Sequence, residues 1–270
     1  MSSYWDGTNK RLYGAEPFTA VVVHGGPGAG GECAPLAREL GRELGVIEHL
    51  QTALSLDGQV SELGECLGQA GSQVALIGHS YGALLSLITA AKCPSLVKKL
   101  ILVGSAPLED KYAGQIMQMR RNRLSAAANA ELDELLAVLG GAQDLSAKNQ
   151  AFAWLGRSLE IADAFDPLPE DGDVVTCRYD IYEDVWPEMS TIRTTGKLLA
   201  CVGDVRCPVV AIHGDYDPHP ASGVQEPLQR MLRDFKFIML EKCGHTPWRE
   251  KQAREAFYRV LRFELRVKLL

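Results

Sequence analysis

The sequence predicts a mostly parallel α/β sheet flanked by helices, with an inserted helical segment. Three observations carry this. Short apolar runs such as FTAVVVH (18–24), QVALIG (73–78) and KLILVG (99–104) read as strands buried on both faces. Segments with helical spacing separate them, the order expected of βαβ units. Between about residues 108 and 198 the alternation stops, and polar helical sequence such as MQMRRNRLSAAANAELDELLAVLGG takes its place.

In chain order, YWDGTNKRLY is expected to form a small hairpin around Asp6-Gly7, ahead of the first strand. Leu36, Leu40 and Leu44 lie at helical spacing over 33–45, ending near Gly45. A second helix is expected at 59–70. The strand at 73–78 leads into a helix at 81–92, rich in Ala and Leu and stopped by Pro94. After the strand at 99–104 comes the inserted segment. CPVVAIHG (207–214) and FKFIMLE (235–241) are two further strands, and 248–267 a final helix. The expected division is a core of 1–107 and 199–270 with a helical cap of 108–198. Ligands of open α/β sheets bind beyond the carboxyl ends of the strands, so a cap there shapes and dries the site.

Composition narrows the function classes. The chain has 270 residues, of which 46% are hydrophobic and 23% charged, ordinary for a globular protein with a sizeable core. A net charge of −6 without a basic block argues against nucleic acid as a partner. No apolar run approaches the roughly 18 residues of a membrane span, and the N-terminus lacks the apolar stretch of a signal peptide. Seven scattered cysteines, with no C-x-x-C pair, suit reduced thiols. The expectation is a cytoplasmic protein acting on a small-molecule substrate, with no membrane partner and homo-oligomerisation left open.

GHSYG (78–82) falls where the strand QVALIG meets the helix starting near Tyr81. Glycines on both sides let the chain turn sharply and expose Ser80 as a nucleophile. A serine hydroxyl needs a base, and the base an orienting carboxylate. AIHGDYDPHP (211–220) and LEKCGHTPW (240–248) each follow a strand, and so lie on the same side of the sheet as Ser80. They supply Asp217 as the acid and His245 as the base. Asp215 is the competing acid, with one of the two capping the turn; Glu109 and Asp110 are weaker choices. His213, Asp215, Asp217 and His219 alternate like metal ligands, but Pro218 interrupts the alternation, and no metal is expected.

The glycine-rich loop after the first strand, VVVHGGPGAGGECAP (21–35), admits two readings. Gly26, Gly28 and Gly31 fit the G-x-G-x-x-G spacing of a dinucleotide site, with Glu48 as the ribose-binding acid. Against this, Pro27 has no N–H to offer a phosphate, and GHSYG, Asp217 and His245 would have no role. The other reading is an oxyanion hole, with backbone N–H groups from Gly26 and from Tyr81, and Gly25 as a neighbour.

HGGPG (24–28), GHSYG, GDYD (214–217) and GHTPW (244–248) together resemble the α/β-hydrolase superfamily over about 18–267, apart from the cap. The resemblance implies a Ser80–Asp217–His245 triad, no cofactor, and acyl transfer to water on a small ester, thioester or amide. HGGPG with a Ser-Tyr elbow is also similar to the prolyl iminopeptidases, whose cap glutamates hold a substrate amine. WPEMSTIRTTGKL (186–198) resembles their return from cap to core, making Glu188 an amine-binding candidate. The elbow lacks their double glycine, and Pro218 stands where some carry a second such glutamate. A non-catalytic binding protein on a hydrolase scaffold is the remaining alternative. Met117, Met119, Trp154 and Trp186 are candidates to line an apolar pocket in the cap.

Overall fold

The computed structural model describes residues 9–169, 175 and 177–266. Seven strands form one sheet in the order β1-β3-β2-β4-β5-β6-β7. They are β1 (Lys10–Tyr13), β2 (Phe18–Val23), β3 (Gly45–His49), β4 (Val74–His79), β5 (Val97–Val103), β6 (Val209–Gly214) and β7 (Phe235–Leu240). Every pairing is parallel except that of β1 with β3 at the edge. The apolar strand runs follow from burial on two faces. In β2, Val21 and Val23 pack with α2 (Leu56–Gln69) and α3 (Tyr81–Lys92), while Ala20 and Val22 pack with α1 (Ala34–Leu40).

Between β5 and β6 lie α4 (Ile116–Arg123), α5 (Ala126–Gly140), α6 (Leu145–Asp163), α7 (Tyr179–Thr194) and the short α8 (Lys197–Cys201). Leu132, Leu139, Phe152, Leu155 and Tyr179 form a small core of their own there. Ile181, Val185 and Met189 of α7 join the main core instead and tie the inserted helices to the sheet. The helix α9 (Ser222–Met231) precedes β7, and α10 (Arg254–Leu265) buries Phe257 and Leu261 against the α1 face.

Several boundaries differ from the sequence expectation. The helix expected over 33–45 spans only Ala34–Leu40, because the chain turns at Gly41 and enters β3. The strand β3, GVIEH, was not expected. Its Glu48 and His49 interrupt the apolar pattern, yet all five residues are buried. The final helix is a 3₁₀ turn at Pro247–Arg249 followed by α10. The tip of the expected hairpin, Asp6-Gly7, lies outside the described residues; Lys10–Tyr13 pairs with β3. No described helix is long and apolar enough to cross a membrane.

Candidate active site

Ser80 sits between β4 and α3 with φ 53° and ψ −118°. A non-glycine residue with positive φ costs roughly 1–3 kcal/mol and persists only where its surroundings dictate it. They do so here. The Ser80 N–H donates to Val103 O at 3.0 Å, and Ser80 O accepts from Ala83 N at 3.1 Å. A Cβ on Gly82 would lie 2.3 Å from His24 O, and one on Gly78 2.3 Å from Gly82 O. The flanking glycines are therefore what lets the turn close.

The loop after β2 comes up against this turn. A Cβ on Gly25 would sit 3.0 Å from Ser80 Cβ and 2.9 Å from Glu32 Oε2, so glycine eases that close approach. Gly26 follows with φ +43°. His24 Nε2 accepts the Gln51 N–H at 3.2 Å, which puts its proton on Nδ1, and this donates to Gly25 O at 2.6 Å. Burial pushes the His24 pKa down, so the ring stays neutral. Glu48, the candidate ribose acid, instead lies in β3 against Tyr13 and Arg11, with its side chain fully buried.

Asp217 and Asp215 follow β6 and separate cleanly. Asp215 Oδ1 accepts the Cys243 N–H at 3.1 Å and caps the turn. Asp217 Oδ2 accepts from His245 Nδ1 at 2.8 Å. Glu109 and Asp110 instead pair at 3.5 Å with Lys111 and Arg193 respectively. Burial acts to raise the Asp217 pKa, but His245, His219 and His213 outweigh it and hold the carboxyl well below its usual range. Burial acts to lower the His245 pKa, and the Asp217 carboxylate outweighs it, so the imidazole titrates above its ordinary value. With the proton on Nδ1, the His245 lone pair is on Nε2.

The loop carrying His245 is held on three sides. Its N–H donates to Asp163 O at 2.9 Å, and its carbonyl faces His79 Nε2 at 3.0 Å. Glu250 accepts the N–H groups of Gly244 and Phe165 on one oxygen and that of Asp166 on the other. Arg120 grips the Asp163 carboxylate with two hydrogen bonds of 2.8 and 2.6 Å, linking α4 to the end of α6. Glu32 lies 3.1 Å from His79 Nδ1. Burial would raise its pKa, but the His79 ring outweighs that and holds it down to about 2.

Gly25, Gly26, Ser80, Tyr81 and His245 line one cavity of about 330 Å³, together with side chains of α6 and α7. Asp217 stands behind His245. Of the four candidate lining residues in the inserted segment, Trp186 reaches this cavity. Trp154 is 47% exposed, with the Arg157 guanidinium over its ring, and Met117 packs into the small core of the inserted helices. Glu188 is placed elsewhere: its carboxylate accepts the Leu56 N–H at 2.7 Å, at the N-terminus of α2, where it complements the helix dipole. Arg120, Asp163 and Glu32 were not singled out as site residues, and His219 only within the metal-like alternation set aside above. His219 and Glu32 had a signal in their nearness to Asp217 and to the glycine loop. Arg120 and Asp163 had none, since only tertiary packing brings α4 and α6 to the His245 loop.

Strained serine elbow, glycine loop and Asp–His pair thus meet at the carboxyl ends of parallel strands. The matching family model, the alpha/beta hydrolase family, covers residues 4–260. The chain belongs to this family. A search of the curated proteins finds no match. Among solved structures the chain is similar to a monoacylglycerol lipase from Paleococcus ferrophilus, at 16% identity and TM-score 0.61, over 98% of each chain. It is also similar to E-2-(acetamidomethylene)succinate hydrolase, at 19% identity and TM-score 0.61, over 94% of this chain and 93% of that one. A thioesterase domain from the curacin biosynthetic pathway matches at 18% identity and TM-score 0.57, over 93% of each chain. These likenesses carry the fold.

Proposed function

We propose that the protein is a serine hydrolase acting on a small ester, thioester or amide through an acyl-enzyme. The observation that carries this is the Asp217–His245 contact behind a cavity that Ser80 also lines. Ser80 Oγ attacks the substrate carbonyl as His245 Nε2 takes its proton. Asp217 keeps the Nδ1–H tautomer in place and stabilises the imidazolium that forms. The backbone N–H groups of Gly26 and Tyr81 receive the oxyanion; losing one such donor typically costs roughly 3–4 kcal/mol. His245 then protonates the leaving group and activates the water that releases the acid. Residues 108–198 act as a cap over the cavity.

The names of the lipase and the thioesterase domain above support an ester or thioester carbonyl, while that of the acetamidomethylene succinate hydrolase keeps an amide among the substrates. The commitment of Glu188 to the N-terminus of α2 counts against an amine-directed peptidase. The test is one plate of initial rates, comparing short-chain p-nitrophenyl esters and acyl thioesters with alanyl and prolyl arylamides. Ester or thioester turnover that disappears in Ser80→Ala is expected. Arylamide turnover requiring a free amine would overturn the substrate assignment.

A further inference from the structure

Helix α6 runs along the cavity wall and changes character on the way. Phe152, Leu155 and Leu159, spaced to share one face of the helix, line the cavity with apolar residues. Glu160 and Asp163 line it at the end of the helix. That end lies at the base, since Asp163 O accepts the His245 N–H at 2.9 Å. A rise of about 1.5 Å per residue puts Phe152 roughly 16 Å back along the helix axis.

At the apolar end the aromatic rings form a continuous series. Phe152 and Tyr182 have centroids 5.0 Å apart, Tyr182 and Trp186 5.8 Å with planes at 12°, and Trp186 and Tyr81 6.2 Å. Tyr81 directly follows the nucleophile, and its hydroxyl donates to Gln59 Oε1 at 2.7 Å. A neighbouring cavity of about 170 Å³ is lined by none of these rings. It shares Glu32, Arg157, Glu160, Asp163, Arg249 and His245 with the first. The base therefore stands at the charged end, where the two cavities meet. Direction follows from the chemistry. His245 protonates the leaving group, so that half of the substrate lies on the side of the base, while the acyl half stays on Ser80 Oγ and extends the other way.

We propose that the acyl half of the substrate carries an aryl group, held against Phe152, Tyr182 and Trp186, while the leaving group lies at the charged end. Aryl rings meet other rings offset or edge-on at centroid distances of about 4.5–7 Å. An apolar cavity of roughly 150 Å³ takes a benzene ring, so one of about 330 Å³ has room for such a group beside the reacting carbonyl. At the other end the same ring would take water from Glu160, Asp163, Arg157 and Arg249, which is costly for charged groups. The assignment of the two halves rests on the serine-hydrolase reading; the aryl site itself does not.

The experiment compares two isomeric esters, methyl phenylacetate and benzyl acetate, which carry the same ring on opposite halves. With the first, Ser80 Oγ takes the phenylacetyl group, methanol leaves with the proton from His245, and water then releases phenylacetate. Its kcat/KM is expected to exceed that of benzyl acetate about tenfold or more. The ratio should fall about tenfold in Trp186→Leu and in Phe152→Leu, each checked for fold by circular dichroism. It should hold in Trp154→Leu, whose ring is exposed and outside the cavity. Equal rates, a preference for benzyl acetate, or a ratio that holds in Trp186→Leu and Phe152→Leu would overturn the proposal. Calorimetry of phenylacetamide with the Ser80→Ala protein reads the ring site without turnover, and Trp186→Leu in that background should weaken binding about tenfold. Such weakening, without ester hydrolysis or fluorophosphonate labelling of Ser80, supports the aryl site and sinks the hydrolase reading. Hydrolysis of both esters with phenylacetamide affinity unchanged by Trp186→Leu does the reverse.

Discussion

Two buried carboxylates, at opposite ends of the sheet's function, behave in opposite ways. Glu48 in β3 and Asp217 after β6 both have fully buried side chains. Glu48 accepts from Tyr13 Oη at 3.0 Å and lies 3.6 Å from Arg11, while its Oε1 has no hydrogen-bond partner among the described residues. Burial wins there, and its pKa is raised. Asp217 receives His245 Nδ1, His219 Nδ1 and the His219 N–H, with His213 3.5 Å away. There the donors win. Burial alone does not prepare a carboxylate to orient a base; the number and charge of donors converging on it decides.

The sharpest way to break this contrast is Asp217→Asn. It keeps the shape but removes the charge that fixes the His245 tautomer, and turnover is expected to fall by roughly 10³–10⁴. The chain should still fold, as circular dichroism would show. Wild-type behaviour in Asp217→Asn would remove Asp217 from the account.

A second effect concerns pH. His245 must be neutral to act as base, so kcat/KM should fall as pH drops through a pKa above the ordinary 6.5. In Asp217→Asn the main raising influence is gone while burial remains, so the residual activity should persist to lower pH. A limb that does not move would detach the profile from His245.

Glu48 supplies the complementary effect on stability. Its folded pKa is raised, so the folded state binds the proton more tightly than the unfolded one. Its contribution is therefore greatest below about pH 4.5 and is lost as pH rises through the folded value. Glu48→Gln should cost about 1–3 kcal/mol in urea unfolding at pH 5, less at pH 8, and leave ester turnover intact. A larger cost at pH 8 would reverse the sign argued here. The smallest expected effect is Glu188→Ala, about 1 kcal/mol from loss of the acceptor at the N-terminus of α2, again without a change in turnover.

The same pair shows how much the sequence displays. Asp217 stood out because a strand, a tight turn and a glycine-preceded histidine each leave a local signature. The serine elbow is legible for the same reason, since Gly78 and Gly82 are required by atoms a few ångströms away. Glu48 misled: as a polar residue about 20 positions after the glycines it fitted a ribose acid, and with His49 it hid the strand next to the sheet edge. Its partners Arg11 and Tyr13 come from an edge strand that only the folded sheet brings alongside. The Arg120–Asp163 clasp on the His245 loop is illegible for a related reason, as it depends on how α4 and α6 pack.

The most direct test of the central claim is mass spectrometry of the protein after brief exposure to a fluorophosphonate. The account predicts a single stable adduct on the peptide carrying Ser80, absent in Ser80→Ala and formed far more slowly in His245→Gln. Labelling at another residue, or labelling of Ser80→Ala at the wild-type rate, would contradict it.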